Sequence, residues 1–251
     1  MGDLYLKPQR GSDNLLRGLS PNIWSQAPLV QINSGAIDEG FGFIDDFLTF
    51  PEANAEIPWL STQSTTGTSA LDDAKGGVLK IDSGGTTQHK GMNLQYGVGE
   101  QFLANANAKI YFEARIKLST ISGPKVQAFV GLAQESTAVI ASGANATANH
   151  IGFEFLNTTD IKLVTENGGS RTASASSLAT LVDGTYVKLG FVVDGVSKIT
   201  PYVNGVAGDA ITANVAASEL CPTLVCQTDG TVRPVMYVDW VACYQAEQIA
   251  N

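Results

Sequence analysis

Two alternating stretches, residues 183–195 and 198–205, constrain the fold of this chain more than any other feature. They are bounded by Asp-Gly and Asn-Gly pairs, which favour tight turns. In the first stretch, alternation assigns one face to Val187, Leu189, Phe191 and Val193, and the other to Tyr186, Lys188 and Gly190. This pattern predicts an antiparallel hairpin. Because one face of that hairpin is apolar, a second sheet must cover it.

Similar alternation recurs along the chain and predicts about a dozen short strands. The predicted strands are 41–50, 78–82, 92–96, 109–118, 125–133, 150–156, 161–166, 223–227 and 232–245, besides the hairpin. Residues 52–75 are predicted to form a loop anchored by Trp59, with a helical turn near Ser69–Ala74, and a second short helix is expected near 214–219. The pattern predicts an all-β fold, an antiparallel β-sandwich of the jelly-roll type.

Residues 1–40 differ from the rest because they show no sustained periodicity, yet they are too apolar for a solvated tail. We expect an extended N-terminal arm that docks on its own domain or on a neighbouring subunit, followed by one sandwich domain over 41–251. The residues predicted to bind a partner through this arm are Leu4, Tyr5, Leu6, Leu15, Leu16, Ile23 and Trp24.

Charge and composition exclude several classes of function. The chain carries 15 Lys and Arg against 24 Asp and Glu, a net charge of −9, and shows no basic stripe. Binding of nucleic acid or of an anionic membrane surface is therefore not expected. No apolar run is long enough to span a bilayer, and the N-terminus does not resemble a secretion signal. The three cysteines lack metal-ligand spacing, which predicts reduced thiols in a protein made in a cytoplasm.

Glycoside hydrolysis requires two carboxyl groups on one surface, which an acid-x-acid pattern on a strand would supply. Glu113 is followed by Arg115 at that spacing, whereas Glu154 has Gly152 and Leu156 as same-face neighbours. Glu113 and Glu154 would form a pair only by approaching each other across strands. A structural ion pair between Glu113 and Arg115 is the favoured interpretation, so no catalytic residue is predicted.

Other chemistry has little support in the sequence. His89 and His150 do not form a metal-binding pair, and no Gly-rich loop precedes a helix. The acids that would suit calcium, Asp45, Asp46, Asp72, Asp73, Asp194 and Asp209, also suit ordinary turns and caps. We therefore expect no metal, no cofactor and no enzymatic activity.

Trp240 lies in an alternating segment, 236–244. Alternation places it beside Met236, Val238 and Ala242, with Tyr237, Asp239, Val241 and Cys243 on the opposite face. Packing in the core is favoured over a sugar-stacking role.

Several segments together resemble a known family. They are FGFIDDF at 41–47, KIYFEARIK at 109–117, FVGL at 129–132, IGFEF at 151–155, DGTYVKLGF at 183–191, YVNG at 202–205 and VDWV at 238–241. They resemble the concanavalin A-like (laminin G-like) jelly roll, and more narrowly the version found in structural proteins of tailed bacteriophages. The resemblance covers about residues 40–245 and rests on strand and turn features.

The resemblance implies a non-enzymatic virion protein that decorates and stabilises a phage capsid. Such a protein would be made in the host cytoplasm, sit on the capsid exterior as a homo-oligomer, often a trimer, and dock its arm on the major capsid protein. One alternative is a carbohydrate-binding, lectin-like module of the virion, with a glycan as partner. The remote alternative is a glycoside hydrolase, although the acid-x-acid-x-x-acid motif of that branch is missing here.

Overall fold

A computed structural model describes most of the chain from residue 18 to residue 247. The described residues are 18–25, 27, 40–50, 59–64, 66–72, 74, 76–97, 101–106, 108–121, 126–140 and 148–247. Five of the predicted arm residues, Leu4, Tyr5, Leu6, Leu15 and Leu16, lie outside these ranges.

The described residues form two large antiparallel sheets, a small two-stranded sheet and one short helix. Sheet I contains β1 (Gly40–Asp45), β3 (Thr68–Leu71), β4 (Leu79–Asp82), β7 (Ala108–Ser119), β14 (Tyr186–Asp194), β15 (Lys198–Val203), β16 (Val206–Ala207) and β18 (Val235–Glu247). Sheet II contains β2 (Trp59–Ser64), β5 (Lys90–Tyr96), β6 (Phe102–Leu103), β8 (Val126–Ala133), β9 (His150–Leu156), β11 (Leu163–Asn167), β12 (Ser170–Ala173) and β17 (Glu219–Thr228). The remaining elements are α1 (Pro21–Trp24), β10 (Asp160–Ile161) and β13 (Ala179–Thr180).

The strand order places β7 and β9 inside their sheets. Sheet I runs β16-β15-β14-β7-β18-β4-β3, and β1 pairs with the second half of β18. Sheet II runs β12-β11-β9-β8-β17-β5-β2, and β6 pairs with the start of β17. The predicted hairpin is confirmed as β14 and β15, with Asp194 opposite Lys198 and Leu189 opposite Val203.

The inward faces of the two sheets form one hydrophobic core. On β7, Ile110, Phe112, Ala114, Ile116 and Leu118 point inward, as their alternation predicts. The rings of Phe112 and Phe191 stack at 4.9 Å within sheet I, and Phe153 of sheet II lies 6.4 Å from Phe191. These contacts hold the sheets face to face, so the fold is the predicted all-β sandwich.

The prediction of a loop over 52–75 is wrong for its second half. Residues 59–64 form β2, and residues 68–71 form β3 where a helical turn was expected. The helix expected near 214–219 is also absent there, because Glu219 begins β17. Serine, threonine and glycine dominate the segment around β2 and β3, which hides its alternation. Trp59 is buried as expected, and its indole N–H donates to Asp45 Oδ2 at 2.8 Å.

The prediction for β18 is wrong about which residues share a face with Trp240. The register shifts between Val238 and Trp240, so Asp239 is an extra residue in the strand. Such a bulge moves every later side chain to the opposite face. Val238 and Val241 therefore both point into the core, whereas Trp240 packs on the outer face of sheet I.

The cysteines Cys221, Cys226 and Cys243 are free and buried. Burial raises the pKa of the Cys226 thiol to about 12, which keeps it protonated at neutral pH.

In the part of the chain that is described, no helix has the length and apolar character needed to cross a membrane.

Candidate functional site

The structure places Glu113 and Glu154 on the outer faces of different sheets. Glu113 lies on β7 of sheet I, and Glu154 lies on β9 of sheet II. The core lies between them, and packed sheets are about 10 Å apart even at their backbones. The two carboxylates therefore cannot approach across strands. The expected ion pair of Glu113 with Arg115 is also wrong, because the Arg115 guanidinium pairs with Asp239 at 2.5 Å.

Glu113 is enclosed by residues 18–25, which we call the strap. The backbone N–H of Ser20 and the indole N–H of Trp24 each donate to Glu113 Oε2 at 2.9 Å. The carboxylate is fully buried, and this burial raises its pKa, although both hydrogen bonds act in the opposite direction. Glu113 therefore anchors the strap to sheet I, and no substrate can reach it while the strap is in place.

Three further contacts hold the strap. The Ile23 side chain lies directly over Gly190, where a Cβ atom would come within 2.5 Å of Ile23 Cδ1. The Trp24 ring stacks on Tyr111 at 6.1 Å, and the Lys188 ammonium donates to the Gly18 carbonyl at 2.7 Å. Two predicted arm residues, Ile23 and Trp24, are thus buried on their own domain. Binding of a partner by the arm stays a prediction.

Glu154 lies in a different environment, a buried polar cluster on the outer face of sheet II. It pairs with Arg171 of β12, and burial raises its pKa despite this ion pair. Glu154 Oε1 and Arg171 Nη1 are buried and have no hydrogen-bond partner among the described residues. The cluster therefore keeps polar atoms that the described fold does not use.

His150 belongs to the same cluster. Its Nδ1 lies 2.8 Å from the Ala148 carbonyl, so Nδ1 carries the proton and donates. Burial lowers the pKa of His150, which keeps the ring neutral. Its buried Nε2 is then an acceptor, and it has no partner in the described part of the chain. Buried Glu166 stands opposite both His150 and Arg171, so the cluster contains two carboxyl groups, a guanidinium and a neutral imidazole.

A surface cleft of about 230 Å³ lies on the same face of sheet II. Its lining is Thr62, His89, Gly91, Met92, Asn93, Thr137, Ala138, Val139, Ile140, Val225 and Gln227. The strand register links it to the cluster: Glu154, Phe129, Val225, Asn93 and Thr62 stand opposite one another in a single row across five strands. At about 4.8 Å per strand, the row is about 19 Å long.

Side-chain amides hold the wall of this cleft in place. Asn93 donates to the Ser136 carbonyl at 2.9 Å, and Gln227 donates to the Ile140 carbonyl at 3.2 Å. The backbone N–H of Ser136 donates to Gln95 Oε1 at 2.9 Å. These amide residues were not predicted as site residues. The signal was present, because Asn93 and Gln95 alternate with apolar residues on β5 and so share one polar face.

The other residues considered for chemistry are dispersed. His89 has a left-handed backbone with φ of 60°, and its Nδ1 lies 3.4 Å from Gln127 Oε1 at the cleft. Asp45 accepts from the Phe47 N–H and the Trp59 indole, and Asp194 pairs with Lys109 at 3.6 Å. Across the described ranges, no group of three or more His, Cys, Asp or Glu residues is placed to hold a metal ion.

This architecture is the concanavalin A-like jelly roll. Protein-family models and curated protein sequences give no match to the chain. Solved structures do match. The Bacillus licheniformis β-glucanase has a TM-score of 0.56 at 11% identity, covering 83% of this chain and 98% of the glucanase. The endo-1,3-β-glucanase from Streptomyces sioyaensis has a TM-score of 0.54 at 15% identity, covering 82% and 95%.

A protein of unknown function from Shewanella oneidensis matches with a TM-score of 0.59 at 10% identity, covering 85% of this chain and 89% of that protein. At such identities the likeness shows the fold alone.

The comparisons overturn the expected function. A non-enzymatic virion protein that decorates a capsid was predicted, but the solved structures that share the fold include several glucanases and glycoside hydrolases. The prediction that the chain is not an enzyme is overturned by the same finding. The prediction failed because strand and turn motifs identify the jelly roll, while function depends on the residues that a particular member carries on its faces.

Proposed function

We propose that this protein acts on a β-linked glucan, which binds along the outer face of sheet II. The proposal is supported by the fold, since two matched structures are described as a β-glucanase and an endo-1,3-β-glucanase. It is also supported by the chain's own surface, because the cleft and the Glu154 cluster share that face.

The observation that carries the proposal is the cleft, which lies on the same outer face of sheet II as Glu154. The cleft combines the hydroxyl groups of Thr62 and Thr137 with the exposed methyl group of Ala138. Sugars present both hydroxyl groups and C–H surfaces, and binding clefts recognise them by this combination of a few polar groups with apolar contact. The middle of the row across sheet II is covered, because Phe129 and Val225 are buried against Val139 and Ile140, so the glucan would bind at the cleft end.

Binding is tested by isothermal titration with laminarin and lichenan. Thr137 is exposed at the cleft, so Thr137→Trp should fill the cleft and weaken binding at least tenfold. Thr212→Trp is the matched control, because Thr212 is also exposed and outside strands but does not line the cleft. The proposal fails if the unmodified protein binds neither glucan, or if both variants bind equally well.

Hydrolysis by Glu154 is the second candidate function, favoured by one observation. A carboxyl group with a raised pKa and an unpaired oxygen suits a general acid that protonates a leaving sugar. Glu113 shares both properties, but the strap covers Glu113 and not Glu154. Release of reducing ends from lichenan measures it, and Glu154→Gln should reduce the rate by at least a hundredfold. Equal release by both proteins, or none by the unmodified protein, contradicts catalysis by Glu154 and leaves the binding test unaffected.

A further inference from the structure

A second polar surface lies on sheet I, on the opposite side of the molecule from the cleft. The register places Tyr186 opposite Lys117, Lys117 opposite Tyr237, and Tyr237 opposite Lys80. Aromatic and cationic side chains thus alternate in a straight row across β14, β7, β18 and β4. We call this set of four residues the Tyr-Lys row.

The row is a connected set of contacts. The Lys117 ammonium lies 4.1 Å from the centre of the Tyr237 ring and 5.0 Å from that of Tyr186. The Arg115 guanidinium covers Tyr186 at 4.1 Å. Such contacts hold a cation in place while leaving its outer side open to an anion. The fixed positions reduce the entropy that the side chains would lose on binding.

The charge balance of this patch contrasts with that of the whole protein. The chain has a net charge of −9. Around the row, however, Lys80, Lys117, Arg115 and Lys188 occupy neighbouring positions on one face, and Lys188 also donates to the Gly18 carbonyl. Two acids act on Tyr186: Asp239, which is paired with Arg115, and Asp72. Burial raises the pKa of the Tyr186 hydroxyl, which stays protonated and can donate. The patch therefore offers cations and hydroxyl donors to an anion.

We propose that the Tyr-Lys row binds an acidic polysaccharide through its carboxylate or sulfate groups. Neighbouring strands are about 4.8 Å apart, close to the repeat of one sugar in an extended chain, so Lys117 and Lys80 stand about two sugars apart. Tyrosine side chains suit sugar rings, since they combine an apolar body with a polar end. Duplex DNA fits less well, because it carries about one charge per 1.7 Å and the negative charge of the rest of the protein would repel it more than a polymer with one carboxylate per sugar.

The test measures binding of polygalacturonate (carboxylate) and κ-carrageenan (sulfate) by isothermal titration, with laminarin as the neutral arm. The double variant Lys80→Gln/Lys117→Gln should weaken binding of the acidic polymer about tenfold or more, since each substitution removes one charged hydrogen bond from lysine to the polymer. Lys109→Gln is the matched control. Lys109 lies on the same strand and face as Lys117 but about 26 Å away. The dissociation constant of the Lys109→Gln variant should therefore stay within twofold of that of the unmodified protein.

Three results would overturn the proposal. The first is that the unmodified protein binds neither acidic polymer. The second is that the double variant binds as well as the Lys109→Gln control. Equal binding of duplex DNA at the same salt concentration would also overturn it, because the patch would then respond to charge alone. Melting temperatures of both variants confirm that they fold. Because laminarin binding depends on sheet II, failure here is distinguishable from failure of the glucan proposal.

Discussion

Glu113 and Glu154 occupy comparable places in this molecule but have different surroundings. Each lies on the outer face of an inner strand, and burial raises the pKa of each. Glu113 accepts two neutral N–H donors from the strap, which closes over it. Glu154 is paired with the cation of Arg171 and stands in the row that leads to the cleft.

The difference shows that a buried carboxylate acquires its role from what covers it. At Glu113 the chain itself supplies the cover, and the carboxylate stabilises the docked strap. At Glu154 the strap does not cover the carboxylate, and the same face of sheet II also carries a cleft. Each carboxylate keeps one buried oxygen, Oε1, without a hydrogen-bond partner among the described residues. Burial and a raised pKa are common to both, so neither property alone identifies a functional site.

Removing the largest side chain of the strap should have the largest effect on the free energy of unfolding. We expect Trp24→Ala to lower the free energy of unfolding by about 3–4 kcal/mol, since a buried indole and one donor to Glu113 are lost. Trp24→Phe keeps most of the contact with Tyr111 and should cost about 1–2 kcal/mol. Urea unfolding measures both. A loss below about 1 kcal/mol for Trp24→Ala would contradict the role of the strap.

Removing each carboxylate in turn compares how much the surroundings of Glu113 and of Glu154 depend on it for stability. Glu113→Ala leaves the Ser20 N–H and the Trp24 indole without an acceptor, and we expect a loss of about 2–3 kcal/mol. Glu154→Ala should cost less, about 1–2 kcal/mol, because the Arg171 side chain is 26% exposed and water can solvate it. Chemical denaturation of both variants tests this order. The reverse order would show that Glu154 is the more structural residue.

A double variant then asks whether the strap undocks as one unit. If it does, Trp24→Ala and Glu113→Ala together should cost less than the sum of the single changes, because both remove the same docking interaction.

A methyl group at Gly190 should disturb the contact with the strap and, to a smaller extent, the neighbouring backbone of β7. Its Cβ would lie 2.5 Å from Ile23 Cδ1 and 2.8 Å from the Phe112 carbonyl oxygen. We expect Gly190→Ala to cost about 1–2 kcal/mol by overpacking. Gly85→Ala is the control, since its nearest neighbour would be 3.5 Å away. Equal melting temperatures for the two variants would contradict close packing of the strap on β14.

The smallest expected effect is a pH dependence that arises from Glu113. Its folded-state pKa is raised above the usual value of 4.5, so the folded state binds this proton more tightly than the unfolded state. Relative to Glu113→Gln, the unmodified protein should be most stable below pH 4.5. It should lose that advantage as the pH rises through the raised pKa. Unfolding of both proteins across this range measures the difference, and a difference that grows with pH would be inconsistent with burial as the cause.

Sequence patterns predicted the strands in which alternation is unbroken. The hairpin of β14 and β15, strand β7 and strand β9 appear close to where their patterns place them. A strand with an apolar residue at every second position carries all of them on one face, and only that face can turn towards the core. The same reasoning failed for β2 and β3, where small polar residues face solvent and leave no contrast between the two sides.

The candidate site was harder to predict than the strands. Glu154 was weighed and set aside, since its same-strand neighbours offer no second acid. Asn93 and Gln227 lie more than a hundred residues apart in sequence, and only the pairing of β5 with β17 places them in one cleft. One inserted residue, Asp239, moved Trp240 to the outer face, and alternation cannot anticipate a bulge.

The sequence by itself determined that this chain forms an antiparallel sandwich, because periodicity and turn residues act locally and are visible in any short window. Only the tertiary structure decided which strands share a sheet. That decision placed Glu113 under the strap and Glu154 on the same face as the cleft, and it aligned the Tyr-Lys row. Strand order depends on contacts between distant segments, which no local pattern encodes.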